Sequence, residues 1–257
     1  MPAHDLALLT DAARAAGEIA MLYWRNAPKV WDKGDQGPVT EADIAVNDML
    51  LSSLRAARPG YGWLSEETPD TAARLQSDYV FIIDPIDGTR AFIAGEQHFS
   101  HSLAVARNGK VTAAVVYLPA LDRLYTATAD GPALGDGEAL TCSEKSLLDG
   151  VNVLTSKSIL APQHWRGAPP AFQRSFRASL AYRLCLVADG SFDGMVTLRD
   201  SWEWDIAAGS LIAERAGAAV TDRHGAALCF NSPIGQSAGV LACAPALHRD
   251  LSQQIKT

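Results

Sequence analysis

The chain has 257 residues, 48% of them apolar, and four cysteines, which is enough for a packed core and excludes a disordered, collagen-like or disulfide-stapled protein. Twenty-two Lys and Arg against 29 Asp and Glu leave a formal net charge of −7, and nothing in that balance builds the basic face that a nucleic-acid polymer or an anionic membrane needs, so neither is an expected partner. The same acidity weighs against a phosphorylated substrate unless something reverses the field locally.

Leu6, Leu9, Ala13, Ala16, Ile19, Ala20 and Tyr23 recur at steps of three and four, predicting an amphipathic helix over the first 26 residues that stops before Pro28. A second helix is predicted from Thr40, a good N-cap with Asp43 three residues on, to Ala57, ahead of Pro59-Gly60. Residues 79–83 read as a strand buried on both faces. Residues 102–107 and 110–117 flank Asn108-Gly109, a strong hairpin signal, and 124–129 should add a third strand. Composition shifts to Gly, Asp, Glu and Ser over 131–150, where a domain junction is expected, dividing the chain into 1–140 and 141–257. Beyond it, strands are predicted at 151–154, 194–198, 220–221 and 239–242, and helices at 179–188, 205–216 and from 246. The first half reads as α+β and the second as α/β.

No apolar run is long enough to span a bilayer, and the N-terminus, with His4, Asp5 and Asp11, lacks a signal-peptide pattern, so a soluble cytoplasmic protein is expected. Cys142, Cys185, Cys229 and Cys243 show no C-x-x-C pairing and read as reduced core thiols. The six histidines show no metal-ligand spacing and read as ordinary core or surface residues.

Asp84-Pro85-Ile86-Asp87-Gly88-Thr89 follows the buried strand directly. Pro85 should end sheet pairing and force a turn that brings two carboxylates and the Ile86 carbonyl toward one point, an oxygen-only set that suits Mg²⁺. Gly88-Thr89 would then open a helix whose free amides can meet a phosphate. An Asx-type turn is the simpler reading of this stretch alone. Glu66-Glu67 reads singly as a solvated loop, and Asp205 as a helix N-cap. No nucleophilic Ser-His-Asp or Cys signature and no phosphate-binding G-x-x-x-x-G-K-[ST] motif occurs.

Taken together, V-T-E-A-D at 39–43, L-S-E-E at 64–67, I-D-P-I-D-G-T at 83–89 and W-D-I-A-A-G at 204–209 resemble the inositol monophosphatase family of Mg²⁺-dependent, lithium-sensitive phosphatases over nearly the whole chain. The resemblance implies an α/β fold, a layered α/β/α/β/α sandwich, and a chain compatible with a homodimer. It further implies that Glu66, Asp84 and the Ile86 carbonyl hold one Mg²⁺, that Asp84, Asp87 and Asp205 hold a second, and that a third shares Glu66. Thr89 and Asp43 match the pair that orients and deprotonates the attacking water. Asp87, Gly88, Thr89 and Asp205 would meet the substrate phosphate.

Inositol-selective members carry a Glu seven residues before the W-D aspartate, where this chain has Leu198. Other features, including D-G-T-R-A-F-I and V-V-Y-L-P-A, are similar to the 3'(2'),5'-bisphosphate nucleotidase branch, so adenosine 3',5'-bisphosphate is the expected substrate. Inositol 1-phosphate and histidinol phosphate are the alternatives. Arg183 and Arg199 are candidates for a second phosphate, with a surface salt bridge the simpler reading of each, and Trp202 or Trp204 for an adenine face. A regulatory, partner-binding module is the alternative of another class.

Overall fold

The computed structural model describes residues 2–34 and 37–256. Helix α1 (Pro2–Tyr23) is followed by a hairpin, β1 (Val30–Asp32) and β2 (Pro38–Thr40), and by α2 (Glu41–Ala57). Strands β3 (Gly62–Ser65), β4 (Tyr79–Asp87), β5 (Ser100–Arg107), β6 (Lys110–Leu118), β7 (Arg123–Thr128), β8 (Leu134–Gly135) and β9 (Glu138–Ala139) form one sheet in sequence order. It is antiparallel except for β3 beside β4. A five-residue helix, α3 (Thr89–Ile93), sits between β4 and β5. The stretch expected as a junction thus carries the last two strands of this sheet.

The second sheet has the order β11-β10-β12-β16-β14, built from β10 (Asn152–Leu154), β11 (Gln173–Ser175), β12 (Gly194–Thr197), β14 (Ala219–Thr221) and β16 (Val240–Cys243). A small ribbon pairs β13 (Ser201–Trp202) with β15 (Gln236–Ser237). Helices α4 (Leu180–Ala188) and α5 (Glu203–Arg215) run between the two sheets, and α6 (Pro245–Gln254) covers the far face of the second.

Alternation along the strands explains the layers. Phe81 and Ile83, Leu103 and Val105, and Val115 and Tyr117 face α1 and α2, while Val80, Ile82, Ala104, Val116 and Leu118 face α4 and α5. In the second sheet Val153, Val196 and Leu241 face α6, whereas Leu154, Met195 and Val240 join the α4–α5 core. Both sheets are apolar on both faces, which is why their strands read as continuous hydrophobic runs and not as alternating ones. The result is a five-layered α/β/α/β/α sandwich.

Three details depart from the sequence reading. Strand β4 does not stop at Pro85 but continues to Asp87, which pairs with Ser100. Pro85 is tolerated because it lies in a bulge, where no ladder N–H is needed. Helix α5 starts at Glu203, with Trp202 at the N-cap position and no side-chain cap, so Asp205 is in its first turn and not its N-cap. Cys229 is exposed, unlike the other three free cysteines.

Candidate active site

Strand β5 organises the acids contributed by β4. Asp84 pairs with Ser102 and Asp87 with Ser100, leaving Pro85 and Ile86 opposite the single residue His101. This two-against-one bulge turns the Asp84 and Asp87 side chains toward a common point, and the Ile86 amide donates to Asp84 Oδ1 at 3.0 Å. Ser102 Oγ donates to the Trp204 carbonyl at 2.8 Å, fixing the first turn of α5 and so Asp205. Ser179, the N-cap of α4, donates through Oγ to Asp87 Oδ2 at 2.7 Å, and the Ala181 amide donates to the same oxygen at 2.7 Å. Ser100 Oγ is 2.9 Å from Ser179 Oγ.

These anchors bring one carboxylate oxygen each of Asp84, Asp87 and Asp205 within 4.8 Å of one another. Burial, then the charges of Glu66, Asp87 and Asp205, holds the Asp84 carboxyl well above the usual carboxylate range. Burial raises Asp87 to about 6 against the bonds from Ser179 and Ala181. Burial and the charges of Asp87 and Glu66 raise Asp205, with Arg199 pulling the other way. Three acids forced together in this way prefer a proton or a cation, and an all-oxygen donor set suits a hard divalent metal ion.

Glu66 lies outside that triad. Its carboxylate is 3.1 Å from Lys33 Nζ, which also reaches Glu67 at 2.7 Å. Burial lifts Glu66 to about 7, with Lys33 lowering it and Glu67 raising it. Burial works against the Lys33 charge, but the two glutamates outweigh it and keep the ammonium above its ordinary value. The paired acids are therefore not a solvated loop.

Asp43 is buried beneath Thr89. The predicted capping box forms: Thr40 caps α2, and its amide and hydroxyl donate to Asp43 Oδ2 at 2.8 and 2.5 Å. The other oxygen, Oδ1, accepts from Thr89 Oγ1 at 3.3 Å, and that hydroxyl is also 3.1 Å from the Ile86 carbonyl. Burial raises Asp43 to about 6, restrained by the Thr40 bonds. Gly88 has φ +97°, and a Cβ there would meet the His98 carbonyl and the Ser179 amide at 3.3 Å, so the turn into α3 requires glycine.

Arg183 is buried and, among the described residues, forms no salt bridge. It donates through Nε to the Arg177 carbonyl at 2.6 Å, lies over the Phe176 ring, and has Asp87 and Asp205 near enough to act on its charge. Trp202 and Trp204 stack on each other, centroids 4.6 Å apart, and line a cavity of about 440 Å³ that also touches Lys33, Glu66 and Ile234. Lys33, Ser100, His101, Ser102 and Ser179 carry no motif of their own. Their proximity to the acids depends on strand register and helix packing, which leaves no local mark in the sequence.

The model of the inositol monophosphatase family matches residues 2–256. An inositol-1-monophosphatase of Rhizobium meliloti (strain 1021) is 35% identical over 83% of this chain and 80% of its own. The Nus factor SuhB of Escherichia coli (strain K12) is 31% identical over 97% of this chain and 98% of its own. Among solved structures, an IMPase of Thermotoga maritima superposes with a TM-score of 0.82 at 27% identity, covering 98% of this chain and 96% of that one. The extragenic suppressor protein suhB of Bartonella henselae also gives 0.82, at 26% identity and 97% coverage of both chains.

Proposed function

The chain belongs to the inositol monophosphatase family and is a phosphoric monoester hydrolase; on that premise we propose that it hydrolyses a small phosphorylated metabolite with Mg²⁺ held at the acidic cluster, inositol 1-phosphate being the leading substrate. The observation that carries the reading is the convergence of Asp84, Asp87 and Asp205 within 4.8 Å. In this reading Asp84, Asp87 and Asp205 would hold one ion, and Glu66, Asp84 and the Ile86 carbonyl would hold another, Glu66 now being paired with Lys33. A third ion would share Glu66. When bound, such ions acidify water and neutralise charge on the phosphoryl oxygens.

Thr89 Oγ1 lies 3.3 Å from Asp43 Oδ1 and 3.1 Å from the Ile86 carbonyl; in this reading its one proton points to Asp43, which leaves its oxygen free to accept a hydrogen bond from the attacking water. Asp43 Oδ1 takes up the displaced proton, and Thr40 keeps the other oxygen occupied. Gly88 and Thr89, with Asp87, Asp205 and Arg183, contact the substrate. We assign Asp43, Glu66, Asp84 and Asp87 to a domain of residues 1–140, and Asp205 and Arg183 to one of 141–257. The reading extends to a cytoplasmic, lithium-sensitive homodimer.

The named relatives favour inositol 1-phosphate over the adenosine 3',5'-bisphosphate expected from the motifs. One observation keeps the bisphosphate as a second reading: Arg183 is a buried cation beside the acids whose own hydrogen bonds go to carbonyls, suited to a second phosphate. Phosphate release with Mg²⁺ from inositol 1-phosphate, adenosine 3',5'-bisphosphate and histidinol phosphate decides between them by kcat/KM. Inositol 1-phosphate should lead. No release from any of the three would instead favour a regulatory, partner-binding role.

A further inference from the structure

Bulges free backbone groups from the ladder, and a buried carbonyl freed in this way needs a donor. Pro85 and Ile86 form the bulge that aims Asp84 and Asp87, and the residue opposite them is His101. The His101 ring turns back across the bulge, its Nδ1 hydrogen-bonded to the Pro85 carbonyl. The residue is fully buried, on the face of β5 toward α1 and α2, beside the Tyr117 ring of β6.

We propose that His101 is a positioning residue of the metal centre: its Nδ1–H holds the Pro85 carbonyl, locks the bulge, and thereby sets the Ile86 carbonyl and the flanking Asp84 and Asp87 carboxylates for cation binding. The inference rests on the metal-centre reading above.

Three features fix the chemistry. A carbonyl only accepts, so Nδ1 must carry the proton. Burial lowers the ring to about 4 against the Pro85 bond, so the imidazole is neutral. Among the described residues Nε2 is buried without a hydrogen-bond partner. A buried, unbonded nitrogen is costly, and an apolar residue would avoid that cost in a layer otherwise filled by Leu103, Val105 and Val115. The bond to Pro85 offsets part of it. The neighbouring residues match this role on the opposite face, since Ser100 reaches the α4 cap and Ser102 the first turn of α5. Ser100-His101-Ser102 thus tethers the acids from both sides of the sheet.

The test compares wild type with His101→Phe, which keeps a planar ring and removes the donor, and with His101→Gln, which restores an N–H. Mn²⁺ and Mg²⁺ affinities are measured by titration calorimetry on metal-free protein, alongside its melting temperature and the ring ¹⁵N shifts of His101. The expected result is a neutral Nδ1–H tautomer and metal affinity about tenfold weaker in His101→Phe. Affinity should recover at least partly in His101→Gln, with substrate KM at saturating metal unchanged. If His101→Phe does not fold, the His101→Gln affinity and the tautomer decide alone. Metal affinity within about twofold of wild type in a folded His101→Phe, or an Nε2–H tautomer, overturns the inference. Absence of metal binding by the wild type overturns the metal-centre reading instead.

Discussion

At Asp205 a carboxylate oxygen stands within 4.8 Å of those of two other acids, and burial and repulsion lift its proton affinity against the pull of Arg199. Neutralising it removes a repulsive charge and no apolar packing. Asp205→Asn should therefore weaken metal binding and lower kcat by about two orders of magnitude or more, the size seen when a charge-stabilising group is removed from a reacting centre. The melting temperature of the metal-free protein should stay the same or rise. Calorimetric metal titration and thermal melting read these two effects separately. Wild-type turnover in the folded variant would remove Asp205 from the site. Asp87→Asn is a less clean probe, because Asp87 also accepts from Ser179 and the Ala181 amide at the start of α4.

The N-terminus of α2 shows one element serving structure and chemistry together. Thr40 and Asp43 satisfy each other in a capping box, and the same bonds leave Asp43 Oδ1 pointing at Thr89. As the proposed base Asp43 would work only when ionised, and its carboxyl is raised to about 6, so activity should be present above that value and lost below it. Bound cations move the midpoint down from the metal-free value. Thr40→Val removes the hydroxyl donor that restrains the shift, so the acid limb of the kcat/KM profile should move to higher pH. An unmoved limb would show that Asp43 is not the group titrating. A capping box alone is legible from T-E-A-D; that its acid faces Thr89, 46 residues on, is not.

For the molecule as a whole, the buried acids couple folding to pH and metal. Glu66 at about 7 and Asp87 at about 6, with Asp84 and Asp205 also raised, bind protons more readily in the folded chain than in the unfolded one. Their contribution to stability is complete below the ordinary carboxylate value of about 4 and is lost as pH rises toward about 7. Metal replaces the lost protons, so the gain in melting temperature on adding Mg²⁺ should be small near pH 5.5 and larger near pH 7.5. At a hundredfold excess over Kd the gain is about 2.7 kcal/mol, or roughly 5–10 °C for a chain of this size. Scanning calorimetry with and without Mg²⁺ at both pH values measures the difference, in which titrations remote from the site cancel. A gain independent of pH would mean that these acids do not take up the metal. The same acids reconcile a net charge of −7 with a phosphorylated substrate, since the acidity converges where a cation would invert the field.

Helix periods, the Thr40 cap and the Asn108-Gly109 hairpin are local, and the amino-acid sequence by itself determined them, together with the family that the D-P-I-D-G-T stretch marks. Local chemistry is written in neighbouring residues, so it survives in a sequence read one stretch at a time. Tertiary structure alone decided that β4 runs through Pro85, that Lys33 sits on Glu66, and that His101 faces the bulge. It also decided that α4 and α5, packed between two sheets, carry Ser179 and Asp205 to acids about a hundred residues earlier in the chain. These contacts follow from which strand pairs with which and from how helices stack on the sheets, where one step of register exchanges the faces of a strand.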